Sequence, residues 1–111
     1  MKIIIAGDGK VGQTLTGLLS VEGYDLTLID AKQSVLETSQ EQHDVMIVQG
    51  NCATMDVLKK AGVEDADVLI AASGADEINL LCCMTAHFLN DKLHTIARIR
   101  ETTRLYGRLR K

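Results

Sequence analysis

The sequence contains no proline and no low-complexity run, so nothing in its 111 residues reads as a linker, and one domain spanning 1–111 is expected. No apolar stretch approaches the roughly 18–20 residues that a membrane helix needs. Met1-Lys2 leads into only Ile3-Ile4-Ile5-Ala6 before Gly7, too short a run for a signal peptide. Direct membrane insertion is therefore not expected. Cysteine is sparse and odd in number. Cys52, Cys82 and Cys83 form no disulfide-rich pattern, and the adjacent pair diverges on a helix, so reduced thiols in a cytoplasmic setting are expected. The aromatics are Tyr24, Phe88 and Tyr106, without a stacking motif, which argues against a nucleic-acid partner.

The formal net charge of −3 conceals an asymmetry. From Arg98 onward, six basic residues (Arg98, Arg100, Arg104, Arg108, Arg110, Lys111) stand against Glu101 alone. The rest of the chain has six basic and fourteen acidic residues, a charge of −8. A basic tail attracts phosphates, lipids or acidic partners; it also reads as a solvated helix face.

Strand and helix signals alternate from end to end. Lys2–Ala6 is an apolar, β-branched run. Lys10–Glu22 places Val11, Leu15, Leu18 and Leu19 at helical spacing, with Gly23 as a C-terminal cap. Asp25–Asp30 reads as a second strand, Lys32–Glu41 as a polar helix with Val35 and Leu36 to bury, and Val45–Val48 as a third strand. Thr54 is an N-cap for a short helix ending at Ala61, before Gly62. Val68–Ala72 is a fourth strand. Asp76–Asn90 is the longest helix, with Leu81, Met84, Thr85 and Phe88 on its apolar face. Thr95–Ile99 is a fifth strand, and Thr102–Leu109 starts a last helix. Ile3-Ile4-Ile5 and Val68-Leu69-Ile70 are apolar at consecutive positions, as strands buried on both faces require. The expected fold is a Rossmann-like, doubly wound α/β domain. Its five parallel strands take the order 3-2-1-4-5, with the ligand at the carboxyl ends near the switch between strands 1 and 4.

Gly7-Asp8-Gly9-Lys10-Val11-Gly12 matches G-x-G-x-x-G, and it follows a strand and opens a helix, the context the motif demands. Gly7 permits the turn, Gly9 lets backbone approach a pyrophosphate, and Gly12 lets helix and strand pack closely. The first helical amides, aided by the helix dipole, face the phosphates. A plain tight turn is the competing reading. Asp8 repels a pyrophosphate and is expected to point to solvent, as is the Lys10 side chain. Asp30, closing the second strand, is placed to accept hydrogen bonds from a ribose 2′-OH, which favours NAD(H) over NADP(H). It also reads as an N-cap for the next helix.

Two rivals are open. A dehydrogenase fragment would share the cofactor loop, but 111 residues hold no substrate domain, and no Tyr-x-x-x-Lys pair exists: Leu28 follows Tyr24 and Arg110 follows Tyr106. His43, His87 and His94 do not follow strands that aim them at a nicotinamide. No catalytic residue is assigned, and a non-enzymatic role is expected. A metal site could draw on Cys83 and His87, four apart on one helix, with Cys82 and Cys52, but no C-x-x-C or H-x-x-x-H accompanies them. Small buried cysteines in a core are the commoner outcome.

Gly7–Gly12, Asp30, Val48-Gln49-Gly50-Asn51-Cys52, Ala66–Ala72, Asp76-Glu77-Ile78-Asn79 and Ile96-Ala97-Arg98-Ile99-Arg100 occur here together and in this order. The combination resembles the N-terminal nucleotide-binding domain of Trk/Ktr potassium-uptake regulators, the regulator-of-potassium-conductance domain, over nearly the whole chain. The resemblance implies a cytoplasmic subunit, a homo-oligomer of dimer or ring form, at the inner face of the membrane beneath a potassium channel or transporter. It implies binding of NAD(H), or of ATP and ADP in some members. By position, Gly50–Ala53, with Asn51 and Cys52, lies near the adenine, and Ser73 near the second ribose or phosphates. Asp76 and Asn79 cap the next helix and border the pocket, and Arg98 approaches phosphates. With Gly7, Gly9, Lys10, Val11 and Gly12 from the loop, and Asp30, Ala31 and Lys32 after the second strand, these form the expected cofactor site. Asn51 stands where an acid is common in the family. The family pattern continues into a sixth strand and a helix, so the chain reads as a truncated or minimal relative.

Overall fold

The computed structural model describes residues 1–100. The expected helix from Thr102, with the basic residues beyond Arg100, lies outside them. In chain order the elements are β1 (Lys2–Ala6), α1 (Lys10–Ser20), β2 (Asp25–Asp30), α2 (Gln33–Gln42), β3 (Met46–Gln49) and α3 (Met55–Lys60). A 3-10 turn (Val63–Asp65), which sequence did not anticipate, then leads to β4 (Val68–Ala71), α4 (Asp76–Leu89) and β5 (His94–Ala97). The five strands are all parallel, in the order β3-β2-β1-β4-β5. Ile4 faces Thr27 on one side and Leu69 on the other, which fixes the central register.

Because side chains alternate across a strand, β1 serves two cores at once. Ile3 and Ile5 join Leu26, Leu28, Leu36 and Val45, with Leu15 and Leu19 of α1 packed on them. Ile4 and Ala6 join Ile29, Leu58, Leu69, Ala71, Cys82 and Ala86 on the opposite face. Ile4 and Ile5 are wholly buried, each contributing about 2 kcal/mol through apolar burial. This is the two-sided burial that the unbroken isoleucine run demands.

One helix turns differently from the sequence expectation, and a second leaves one expected residue exposed. In α4 the buried residues are Asn79, Cys82, Cys83 and Ala86. Leu81, Met84 and Phe88 stand 49%, 69% and 79% exposed. The expected apolar face is therefore offset by two residues from the buried one, roughly 160° round the helix, and points almost directly away from the sheet. Small side chains set this choice: cysteine and alanine let the helix axis approach the sheet, and the bulkier face is turned outward. In α1, Leu18 is likewise exposed, and Gly12 and Thr16 are the buried positions.

Candidate functional site

The carboxyl ends of β1 and β4 lie side by side where the chain reverses its winding direction. Gly7 leaves β1 with φ +108°, and its amide donates to the Ile29 carbonyl at 2.7 Å. A Cβ at Gly7 would lie 2.7 Å from the Ser73 amide nitrogen, so only glycine fits against the end of β4. Gly12 sits in the first turn of α1, and a Cβ there would overlap the Gly7 carbonyl. The sequence assigned it to close helix–strand packing, and the packing is there. Gly9, the N-cap of α1, is different: nothing among the described residues lies within 4 Å of where its Cβ would be. No side-chain cap bonds the start of α1, and its first turn holds no acid. The end therefore presents unsatisfied amides and the positive end of the helix dipole to an open space, the arrangement that takes an anion.

Asp30 closes β2 beside this loop. Its Oδ2 accepts from the Asp8 amide and its Oδ1 from the Lys32 amide, both at 2.8 Å. Each oxygen keeps a lone pair for a further donor. The N-cap of α2 is Lys32, not Asp30.

Asp8 departs from expectation. It has no exposed surface and turns inward. Its Oδ2 accepts a 2.7 Å hydrogen bond from the buried Ser39 hydroxyl of α2, and its Oδ1 has no partner among the described residues. Repulsion from a bound pyrophosphate pointed to solvent, but inward rotation avoids it too once α2 supplies a donor. Burial pushes the Asp8 carboxyl up; the Ser39 hydrogen bond opposes this, the charge of Asp30 adds to it, and His43 opposes it.

Above the loop is a groove of about 360 Å³ lined by Gly7, Asp30, Ala31, Gly50, Asn51, Cys52, Ser73 and Ile78. Six of these were in the expected set; Gly50 and Ile78 were not. Gly50 lay within the segment expected near the adenine, whereas Ile78 was hidden as one apolar residue among many in α4. Lys10 and Lys32 are exposed, and Val11 is half-buried, outside the lining. Asn51 turns its Oδ1 to the Ala53 amide at 2.9 Å.

Asn79 and Asp76 do not cap α4, whose N-cap is Ala75 without a side-chain bond. Asn79 is a buried clamp. Its Oδ1 accepts from the Ser73 amide and hydroxyl, and its Nδ2 donates to the carbonyls of Ser73 and Arg98. It thus ties the end of β4 to the end of β5. Asp76 accepts from the Arg100 amide at 3.0 Å. Arg98 is held by its backbone, its amide donating to Ala71 at 2.8 Å, and it is not in the groove lining.

Cys52 borders the groove and also meets the wholly buried Cys82. The hydrogen bond with Cys82 lowers the Cys52 thiol, and the same bond together with burial raises Cys82. Burial raises Cys83 as well. Cys83 and His87 line a separate groove between α4 and β5. Among the described residues no group of three or more His, Cys, Asp or Glu is arranged to hold a metal ion, and no helix is long and apolar enough to cross a membrane.

Residues 3–106 match the family model of the TrkA-N domain. The chain is 44% identical over 102 residues to the Trk system potassium uptake protein TrkA of Haemophilus influenzae, covering 92% of this chain and 22% of that protein. It is 38% identical over 84 residues to a TrkA homolog of Methanothermobacter thermautotrophicus, covering 76% and 39% respectively. The chain therefore spans only about a fifth to two-fifths of these relatives' length. Among solved structures, the Kef CTD of Shewanella denitrificans in AMP-bound form superposes with a TM-score of 0.83 at 33% identity, over 99% of this chain and 66% of that one. The TrkA-N domain of the Escherichia coli inner membrane protein ybaL shares the fold, with a TM-score of 0.81 at 18% identity over 98% and 93%. With the glycine loop, the switch-point groove and these matches together, the chain belongs to the TrkA-N domain family.

Proposed function

We propose that this chain is a cytoplasmic nucleotide-sensing domain that regulates a membrane potassium channel or transporter, with NAD(H) as its ligand. The observation that carries the reading is the pairing of an uncapped α1 N-terminus, open at Gly9, with the Asp30 carboxylate in the adjoining groove. The first suits a pyrophosphate and the second a ribose diol. Asn51, Cys52 and Ser73 then border the base and the far side of the ligand, and Arg98 approaches its phosphates from the end of β5. The TrkA names of the relatives support the potassium-uptake role.

The role is regulatory rather than catalytic. A homo-oligomer gives such a domain two subunit arrangements for a ligand to choose between. The exposed Leu81, Met84 and Phe88 of α4 support one, since an apolar strip of this kind suits subunit contact.

An adenine mononucleotide or ATP/ADP is the second reading, favoured by the AMP-bound state of the Kef relative. Calorimetric titration with NADH, NADPH, ADP, ATP and AMP decides between them. NADH is expected to bind at least about tenfold more tightly than NADPH, or about 1.4 kcal/mol. Equal or tighter NADPH binding sinks the ribose assignment, and binding of AMP or ADP with none of NADH installs the second reading.

A further inference from the structure

We infer that Asp8 is a charge-gated positioning residue of the nucleotide site, taking up a proton as an anionic nucleotide settles on the glycine loop. The inference rests on the nucleotide reading above and adds a regulation to it.

The geometry begins with position. Asp8 lies between Gly7, which lines the groove, and Gly9, which opens onto the uncapped helix end. Its carboxyl is folded under the loop with no solvent contact. An ionised carboxylate offers about four acceptor sites. Here Ser39 fills one on Oδ2, and Oδ1 is without a partner among the described residues. A buried charge so thinly solvated is costly, and the neutral acid costs much less. The groups bearing on it are few. Asp30 of β2, which holds the Asp8 amide, adds a second negative charge. His43, just after α2, acts in the opposite sense when protonated. From α1, Gln13 reaches only the Asp8 backbone carbonyl, at 3.1 Å.

A dinucleotide pyrophosphate would bring two more negative charges to the loop. Like charges nearby disfavour ionisation, so the bound state holds the Asp8 proton to higher pH than the free state does. By linkage, affinity is highest where Asp8 is neutral in both states. It falls as pH rises between the two titrations, by at most tenfold per pH unit, and is constant above them. The Ser39 hydroxyl, bonding the ionised form, sets where that window lies.

The experiment is calorimetry of the full chain with NAD, whose pyrophosphate diester carries no proton that titrates near neutrality. It is run from about pH 5 to 8 in two buffers of different ionisation heat. The expected result is net proton uptake on binding and an affinity about threefold to tenfold weaker at the alkaline end. Asp8→Asn abolishes both. Ser39→Ala moves the window to higher pH, which a purely structural contact would not do and which keeps the test decisive if Asp8→Asn fails to fold. NAD binding without uptake or pH slope overturns the inference and leaves the nucleotide site standing. No NAD binding at any pH overturns both. Uptake that survives Asp8→Asn but disappears in His43→Gln assigns the proton to His43 and overturns the role of Asp8.

Discussion

Asn79 Oδ1 accepts two hydrogen bonds from Ser73, one from its amide at 2.8 Å and one from its hydroxyl at 2.7 Å. The same side chain, wholly buried, donates to the Ser73 carbonyl at 3.1 Å and the Arg98 carbonyl at 2.9 Å. One amide thus fixes how β4 leaves the sheet, where α4 begins and where β5 ends. Asn79→Ala strands several buried polar groups and is expected to cost about 2–3 kcal/mol. Asn79→Asp keeps the acceptors, loses the donors and also destabilises. Urea unfolding checks both, and a cost under about 0.5 kcal/mol for the alanine variant removes the clamp from the account.

The glycines of the loop are expected to separate by experiment. Gly12→Ala drives a methyl into the Gly7 carbonyl and costs about 3 kcal/mol or more, seen as loss of soluble protein or a lowered denaturation midpoint. Gly9→Val meets open space at an ordinary φ of −80° and stays within about 1 kcal/mol of the unmodified chain. Under the nucleotide reading it nonetheless abolishes NADH binding, because the valine occupies the pyrophosphate's place. Normal NADH affinity in Gly9→Val reduces the loop to a turn.

Asp30→Ala removes the acceptor for two backbone amides, so a stability loss of about 1–2 kcal/mol is expected. Its diagnostic effect lies elsewhere. NADH affinity drops about tenfold while NADPH affinity changes little, so the ratio between them closes. An unchanged ratio from parallel titrations removes Asp30 from ribose recognition.

Free of nucleotide, the chain carries a second pH signature. The Asp8 carboxyl is raised in the folded state from an ordinary value of 3.8, so the folded chain binds this proton more tightly than the unfolded chain does. Stability then falls as pH rises from the ordinary carboxylate value through the raised folded one, and the loss stays constant above it. Asp8→Asn lacks the charge, so its stability relative to the unmodified chain should climb across that window. Urea midpoints at matched pH values test this, and a difference independent of pH contradicts it.

Self-association is the fifth expectation. Leu81, Met84 and Phe88 are exposed on α4, and Ile96 is exposed on the opposite face of the edge strand β5, which pairs only with β4 among the described residues. Sedimentation at tens of micromolar should show at least a dimer, and Phe88→Glu should shift it toward monomer without unfolding. A monomer with and without NADH takes away the assembly on which the regulatory reading relies.

Much of this protein is written locally. The β/α alternation, the two-sided strands and the 3-2-1-4-5 order follow from hydrophobic period, turn residues and the handedness of crossovers, all readable in short windows. Gly7, Gly12 and Asp30 were legible for the same reason: the tight turn, the close packing and the strand-end carboxylate each belong to one βα unit. Where distant segments meet, sequence reading failed. Asp8 is buried because Ser39, 31 positions later, comes under the loop with a hydroxyl. Ile78 reaches the groove only once α4 flanks the switch point. The outward face of α4 was decided by the fit of Cys82, Cys83 and Ala86 against the sheet. A helix with apolar residues on several faces has no local reason to bury one over another, and the closeness of its neighbours makes the choice.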